Sequence, residues 1–215
     1  MLKLSKVISK EKLKELYLDQ KLSDSKIGEL YKVSGGKVHR LRNKYNIKAI
    51  EAYQRHHKQT LSEIEKSFLI GSLLGDGHMR KRKGKNAYPQ LMIEQSVKHK
   101  EYFFWQMSQM KDWIFNPNKK ITQNRKIRKN KVYHSYSFST ICHPVFSEFF
   151  EGFYTNKKII NIEFIEKYFN ELSLAVWFMD DGGISKNRIM FLCTHSFDKS
   201  ENKQLSNFLQ KNISS

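Results

Sequence analysis

Cysteine, acidic residues and long apolar runs are all scarce in this chain, and each shortage removes a class of protein. Cys142 and Cys193 are the only thiols in 215 residues. They make no CxxC spacing and no disulfide framework, so two reduced thiols in a cytosol-like compartment are expected. No apolar run approaches the roughly 20 residues of a transmembrane helix. The N-terminal stretch "MLKLSKVISKEK" also has too short an apolar segment for a signal peptide. Asp and Glu number 21 against 39 Lys and Arg, leaving a net charge of +18 and a sequence pI near 9.8. A chain this basic, without an amphipathic membrane anchor, is expected to bind a polyanion. The basic residues are clustered rather than spread, which argues for a binding surface over a plain lysine bias of composition.

What is present is enough for a core: 39% of residues are apolar and 13% aromatic. The length suits one large domain or a small and a medium one. Residues 1–47 read as three short helices. Ser9 can cap "KEKLKELYLDQ", where Leu13, Leu16 and Tyr17 repeat at helical spacing, and Ser23 can cap "DSKIGELYK", with Ile27, Leu30 and Tyr31 on its apolar face. A tight turn at Val33 and Ser34 leads into a third helix that carries Val38, Leu41 and Tyr45 inward. Its other face shows Lys37, His39, Arg40, Arg42 and Asn43, the pattern of a helix-turn-helix whose last helix enters a major groove. The alternative is a basic surface helix with no DNA role. Residues 48–60, "KAIEAYQRHHKQT", are polar and basic and read as a linker.

From Leu61 the pattern changes. "LSEIEKSFLIGSLLGDG" predicts a helix capped by Ser62 with Glu65 three residues on, and Ile64, Phe68, Gly71 and Gly75 recur at near-helical spacing. Two strands follow around a turn at Lys83 to Asn86, with Leu91 and Ile93 alternating against Met92 and Glu94. "VKHKEYFFWQMSQMKDWIFN" predicts one long amphipathic helix ended by Pro117, and "KKITQNRKIRKNKVYHSYSFST" a second hairpin. Two more helices lead to "LAVWFMDDGG", after which strand and helix material begins again and the chain ends at "LQKNISS". The order is a weak internal repeat: helix with Gly-Asp-Gly, strand pair, helix. The fold class is α+β, with a single curved antiparallel sheet.

"LIGSLLGDG" and "LAVWFMDDGG" share a feature that an ordinary helix avoids. Each runs an apolar helix straight into acid, where the backbone already carries negative partial charge. Together with "FYTNKKIIN" ahead of the second, these segments resemble the LAGLIDADG homing endonucleases, in the two-motif branch whose second motif reads "WFMDDGG". The resemblance runs from about Leu61 to the C-terminus. It implies a saddle-shaped αββαββα first half over 61–170 and a second half over 171–215, preceded by the small helix-turn-helix-like domain of 1–47. It also implies that the second half stops short of its strands. A truncated reading frame, one part of a split protein, or helix-turn-helix contacts that replace the lost ones would each account for that. A monomer is expected, with self-association if the second half is truncated.

The physics of the pair stands beside the resemblance. Small residues where two helix backbones touch are Gly71, Gly75 and Ala175, and parallel helices would bring Asp76 and Asp181 to the same end. Two carboxylates at two negative helix ends repel unless a cation lies between them, and a hard divalent ion, Mg²⁺, suits oxygen ligands. Gly75 and Asp180 are further metal candidates, although Asp180 faces another way on its helix and reads as structural or a cap. Phosphodiester hydrolysis with Asp76 and Asp181 at the metal is the chemistry that follows. Lys158 matches the family's basic active-site lysine, polarising water or phosphate, with Lys157 beside it as the solvated alternative.

The basic runs belong on hairpins narrow enough for a major groove. Arg80, Arg82, Lys83 and Lys85 lie in the first, and Lys126 sits in the second. Arg80, Arg82, Gln90, Gln95, Gln123, Arg125 and Arg128 are the candidates for base edges. The function expected is a site-specific, metal-dependent double-strand cut in DNA. The alternatives on the same fold are a DNA-binding regulator, a group I intron maturase that holds RNA, or an inactive truncated endonuclease. The setting expected is a bacterial or phage cytoplasm, with an organelle as the alternative and no membrane.

Overall fold

A computed structural model describes residues 4–84, 87–114, 122–128 and 131–213, with backbone alone at positions 6, 52, 122, 126–128, 131 and 213. The chain forms two compact units, Met1–His57 and Lys58–Ser215. In the first, α1 (Lys10–Lys14) runs into a π-helical turn (Glu15–Asp19), followed by α2 (Asp24–Leu30) and α3 (Gly35–Lys44). Ser9 and Ser23 cap as their sequence positions predict, accepting from the Lys12 and Lys26 amides. Ile8, Leu13, Leu16, Tyr17, Ile27, Val38, Leu41 and Ile47 form the core of this unit. The turn into α3 needs Gly28, because a Cβ there would lie 2.5 Å from the Val33 carbonyl oxygen.

The stretch 48–60 divides between the units. Ile50 packs on the first core, and Arg55 donates to the carbonyls of Lys21 and Leu22 while its guanidinium lies over the Tyr17 ring. Those contacts hold residues up to His57 in the first unit, well past Ile47.

The second unit opens with α4 (Glu63–Leu74), where Ser62 and Glu65 form the expected capping box. Glu65 does more than cap. Its buried carboxylate also accepts from the Trp113 indole (2.9 Å) and from Lys58 (2.7 Å). The strands are β1 (His78–Lys81), β2 (Pro89–Ser96), β3 (Thr122–Arg128) and β4 (Lys131–Ser139), with α5 (Lys100–Gln109) between β2 and β3. The sheet order is β1-β2-β4-β3, antiparallel throughout. The helix expected to run from Val97 towards Pro117 is shorter: α5 ends at Gln109, and a 3-10 turn (Lys111–Trp113) swings Trp113 inward to reach Glu65.

Next come α6 (Ser147–Phe153), α7 (Ile162–Glu166) and α8 (Glu171–Asp181). A short ladder of β5 (Gly182–Ile184) and β6 (Met190–Leu192) precedes α9 (Lys199–Ile213). The sheet's inner face, with Met79, Leu91, Ile93 and Phe138, is buried in one core with Phe68, Phe103, Val176 and Trp177 from the helices. Among the described residues, the second helix-and-strand pattern has two strands where the first has four. No helix among them is long and apolar enough to cross a membrane.

Candidate active site

Two helices position the acids. Asn170 and Ser173, at the start of α8, bond Ser67 near the start of α4: Asn170 Nδ2 donates to Ser67 Oγ (2.9 Å) and Ser173 Oγ to the Ser67 carbonyl (2.8 Å). One turn on, Gly71 lies under Ser173 and Val176, and at the far end Gly75 abuts Asp180. The contacts climb both helices in the same order, so α4 and α8 run parallel. Asp76 and Asp181 therefore emerge at the same end.

The small-residue seam differs from the expectation in one member. Ala175 is exposed and lines an apolar groove of about 490 Å³ with Leu174, Phe178, Met190, Phe191 and Leu192. The seam uses Ser67, Gly71 and Gly75 on α4 against Ser173, Val176 and Asp180 on α8. Those positions follow helical spacing from Ser173 and exclude residue 175.

Electrostatics join three side chains into one site. Burial raises the pKa of Asp76, opposed by the Lys158 charge, and raises that of Asp181, helped by the negative charge of Asp76. Lys158 reaches into the same space and donates to the carbonyls of Gly75 (3.0 Å) and Gly77 (3.3 Å). Burial brings its pKa down to about 8, against the upward pull of Asp181, Asp76 and Asp180. A bridge between Tyr154 and Lys158, with the Tyr154 hydroxyl accepting from the Met79 amide, fixes the loop that delivers it. Lys157 is exposed and faces Asp198 instead (3.8 Å). Geometry thus places Lys158 at the acids and leaves Lys157 at the surface.

Asp180 points inward. Its Oδ1 accepts from the Tyr102 hydroxyl (2.9 Å), Gln95 (3.1 Å) and Gln106 (3.2 Å), and its Oδ2 from the Asp76 amide (3.3 Å). Burial carries its pKa up to about 7, with the Tyr102 hydrogen bond pulling the other way. With both oxygens engaged by protein donors, its side chain serves as a structural acceptor rather than a metal ligand.

The sheet sorts the candidate DNA-contacting residues. Arg80 pairs with Gln90 on the face opposite Leu91 and Ile93, and Arg82 and Lys83 are exposed in the turn beyond. Asn124, Ser135, Ser137 and Glu94 continue that open face. Gln95 falls on the inner face, 8% exposed and bonded to Asp180, so it is removed from base reading. Its place two residues beyond Ile93 is the sequence signal for this. Gln123 and Arg125 are exposed, but their register with Tyr136 and His134 puts them on the helix side of the sheet, away from Arg80 and Gln90. Lys85 and the side chains of Lys126 and Arg128 lie outside the described residues.

On α3, His39 and Arg40 are exposed and Lys37 is half-buried, but Arg42 is not a surface group. Only 4% exposed, it pairs with Asp24 (3.3 Å), donates to the Ile47 carbonyl (2.9 Å) and stacks over Tyr17. It lies on the Val38, Leu41, Tyr45 stripe at helical spacing. Arg42→Ala is expected to destabilise the first unit by about 2–3 kcal/mol, because a buried, charge-assisted set of bonds is lost. Faster amide exchange across α2 and α3 is the check, and unchanged exchange would refute it.

Tyr102, Gln106 and Tyr154 also order this site, and none of them is among the candidates drawn from the sequence. Tyr102 and Gln106, four apart on α5, form a polar pair on a helix face that otherwise packs inward through Phe103 and Met110.

Known proteins resemble the chain over most of this second unit. A profile of the LAGLIDADG DNA endonuclease family matches residues 66–214. A protein from Wickerhamomyces canadensis called probable intron-encoded endonuclease 1 is 33% identical over 173 residues, covering 76% of this chain and 71% of its own length. The cytochrome b mRNA maturase bI2 of Debaryomyces hansenii is 32% identical over 138 residues, 64% of this chain and 52% of that protein. The solved structure of the homing endonuclease I-WcaI bound to its DNA recognition sequence superposes with a TM-score of 0.63 at 29% identity, covering 71% of this chain and 69% of that one.

Proposed function

The chain belongs to the LAGLIDADG DNA endonuclease family, and on that premise we propose that it makes a site-specific, metal-dependent double-strand break in DNA. The observation that carries this is the parallel α4–α8 pair, which brings Asp76 and Asp181 to one end beside Lys158. The DNA-bound state of I-WcaI supports duplex DNA as the partner.

The residues present fit a hard divalent cation. Among the described residues, no group of three or more His, Cys, Asp or Glu converges, so the carboxylates of Asp76 and Asp181 would hold the ion, with the Gly75 carbonyl, which already accepts from Lys158, as a further oxygen beside them. Mg²⁺ suits such a sparse oxygen set, because it keeps several waters and takes substrate phosphate oxygens. When bound, the ion supplies Lewis acidity for water activation and charge stabilisation at the leaving 3′ oxygen. Asp76 and Asp181 orient the water against the phosphodiester. The Lys158 ammonium, held by two backbone carbonyls, polarises that water or the phosphate. On the open sheet face, Arg80, Arg82, Lys83 and Gln90 contact the duplex, and Lys37, His39 and Arg40 of α3 add contacts from the first unit.

A second reading has its own observation, the resemblance to a cytochrome b mRNA maturase, and makes intron RNA a further partner. The intron and cytochrome b names of these yeast relatives support an organelle over a bacterial or phage setting.

The test is incubation with a duplex spanning the uninterrupted insertion locus, in Mg²⁺ and in EDTA. A double-strand cut in Mg²⁺ alone is expected. Accelerated intron splicing with no cut under any divalent ion would replace this reading with the maturase.

A further inference from the structure

The Asp180 carboxylate joins three elements at this end of the site: β2 through Gln95, α5 through Tyr102 and Gln106, and the end of α4 through the Asp76 amide. Gln106 is fully buried and Gln95 nearly so. A buried carboxylate with its donors is no more stabilising than well-packed apolar side chains of the same volume. Stability therefore does not account for placing four polar side chains here. Position does: Asp180 Oδ2 takes the backbone N–H of Asp76 itself, and Oδ1 is clamped from the opposite side by three donors. The single Tyr102 hydroxyl proton is shared between Asp180 Oδ1 and the Val176 carbonyl (3.2 Å), which ties the same clamp to the α8 backbone.

We propose that Tyr102, Gln95 and Gln106 are positioning residues for the cut, acting through Asp180 to fix the backbone at Asp76 and so to aim its carboxylate. That carboxylate is also held by a direct hydrogen bond from Gln95. Gln95 gives the clamp a second consequence. It lies on β2 between Glu94 and Ser96, whose side chains belong to the open sheet face, so movement of that strand on a bound duplex is carried to Asp76. The proposal rests on the endonuclease reading, and its test has a part that does not.

Tyr102→Phe and Gln95→Met, made in the full chain, keep volume and remove one donor each, and Ser108→Ala on the exposed side of α5 is the control. Each donor variant is expected to slow single-turnover cleavage about 10- to 100-fold, the cost of slight misplacement of a catalytic group. Duplex affinity is expected to stay within about threefold, since no removed group contacts DNA. In the DNA-free protein, amide exchange at Asp76 is expected to accelerate in both variants and to match wild type in Ser108→Ala. Cleavage unchanged in well-folded variants, or rate and affinity lost in proportion, overturns the proposal. Failure of the wild type to cut would sink the endonuclease reading, while Asp76 exchange still decides the clamp: unchanged exchange overturns it.

Discussion

Asp181→Asn is expected to abolish cleavage, by about 10³-fold or more in single-turnover rate, which is roughly 4 kcal/mol of transition-state stabilisation. Duplex affinity should change little, because the contacts that set it lie on the open sheet face and on α3. Asp76→Asn should match it, and the double variant should lose little more, since the two carboxylates act as one unit. The same substitution should raise the stability of the metal-free protein. Both acids sit at negative helix ends, are raised in pKa by burial, and Asp181 is raised further by Asp76. Removing one charge relieves that repulsion, with a gain of roughly 1 kcal/mol in EDTA. Loss of cutting together with a lower melting temperature would mean that Asp181 is structural and would sink its assignment to the site.

Gly71→Ala is the second large effect. A Cβ at residue 71 would press on the Ser173 carbonyl oxygen and sit 2.7 Å from Val176 Cβ. The nearest atom is backbone of the partner helix, so no rotamer change relieves it and α8 must move away from α4. Overpacking of this kind costs about 1–3 kcal/mol, occasionally more, against which alanine recovers about 1 kcal/mol of helix propensity. Because the obstacle is backbone, the upper end of that cost applies, and a net loss of about 2 kcal/mol is expected, lowering the melting temperature of the second unit by roughly 4–8 °C. Cleavage should fall further than stability predicts, because the same seam sets the spacing of Asp76 and Asp181. Ala175→Ser, on the exposed side of α8, should stay within about 0.5 kcal/mol. If Gly71→Ala melts like wild type, the close helix approach at this residue is wrong.

Much of the second unit was readable because its signals are local. Ser62 with Glu65 announced the start of α4, alternation marked β2, and the acids ending two apolar helices pointed to a paired site. The departures share one cause. Residue chemistry suggests a surface role for Arg42 and Gln95, as cation and amide, while their spacing places them with Val38 and Leu41 and with Leu91 and Ile93. Size makes Ala175 a seam candidate, but size does not say which side of a helix faces its partner. Lys158 and Lys157 are adjacent and chemically identical, and only the turn at Tyr154 decides which one is carried inward.

The sequence by itself determined the elements, the polyanion-binding charge and the two helix-terminal acids, because capping, periodicity and charge act over a few residues. Tertiary structure decided what those acids face. The parallel direction of α4 and α8, the inward turn of Asp180 onto Tyr102, Gln95 and Gln106, and the choice of Lys158 join residues up to 106 positions apart. Such contacts follow from close packing of one helix backbone against another, and no window of neighbouring residues encodes that approach.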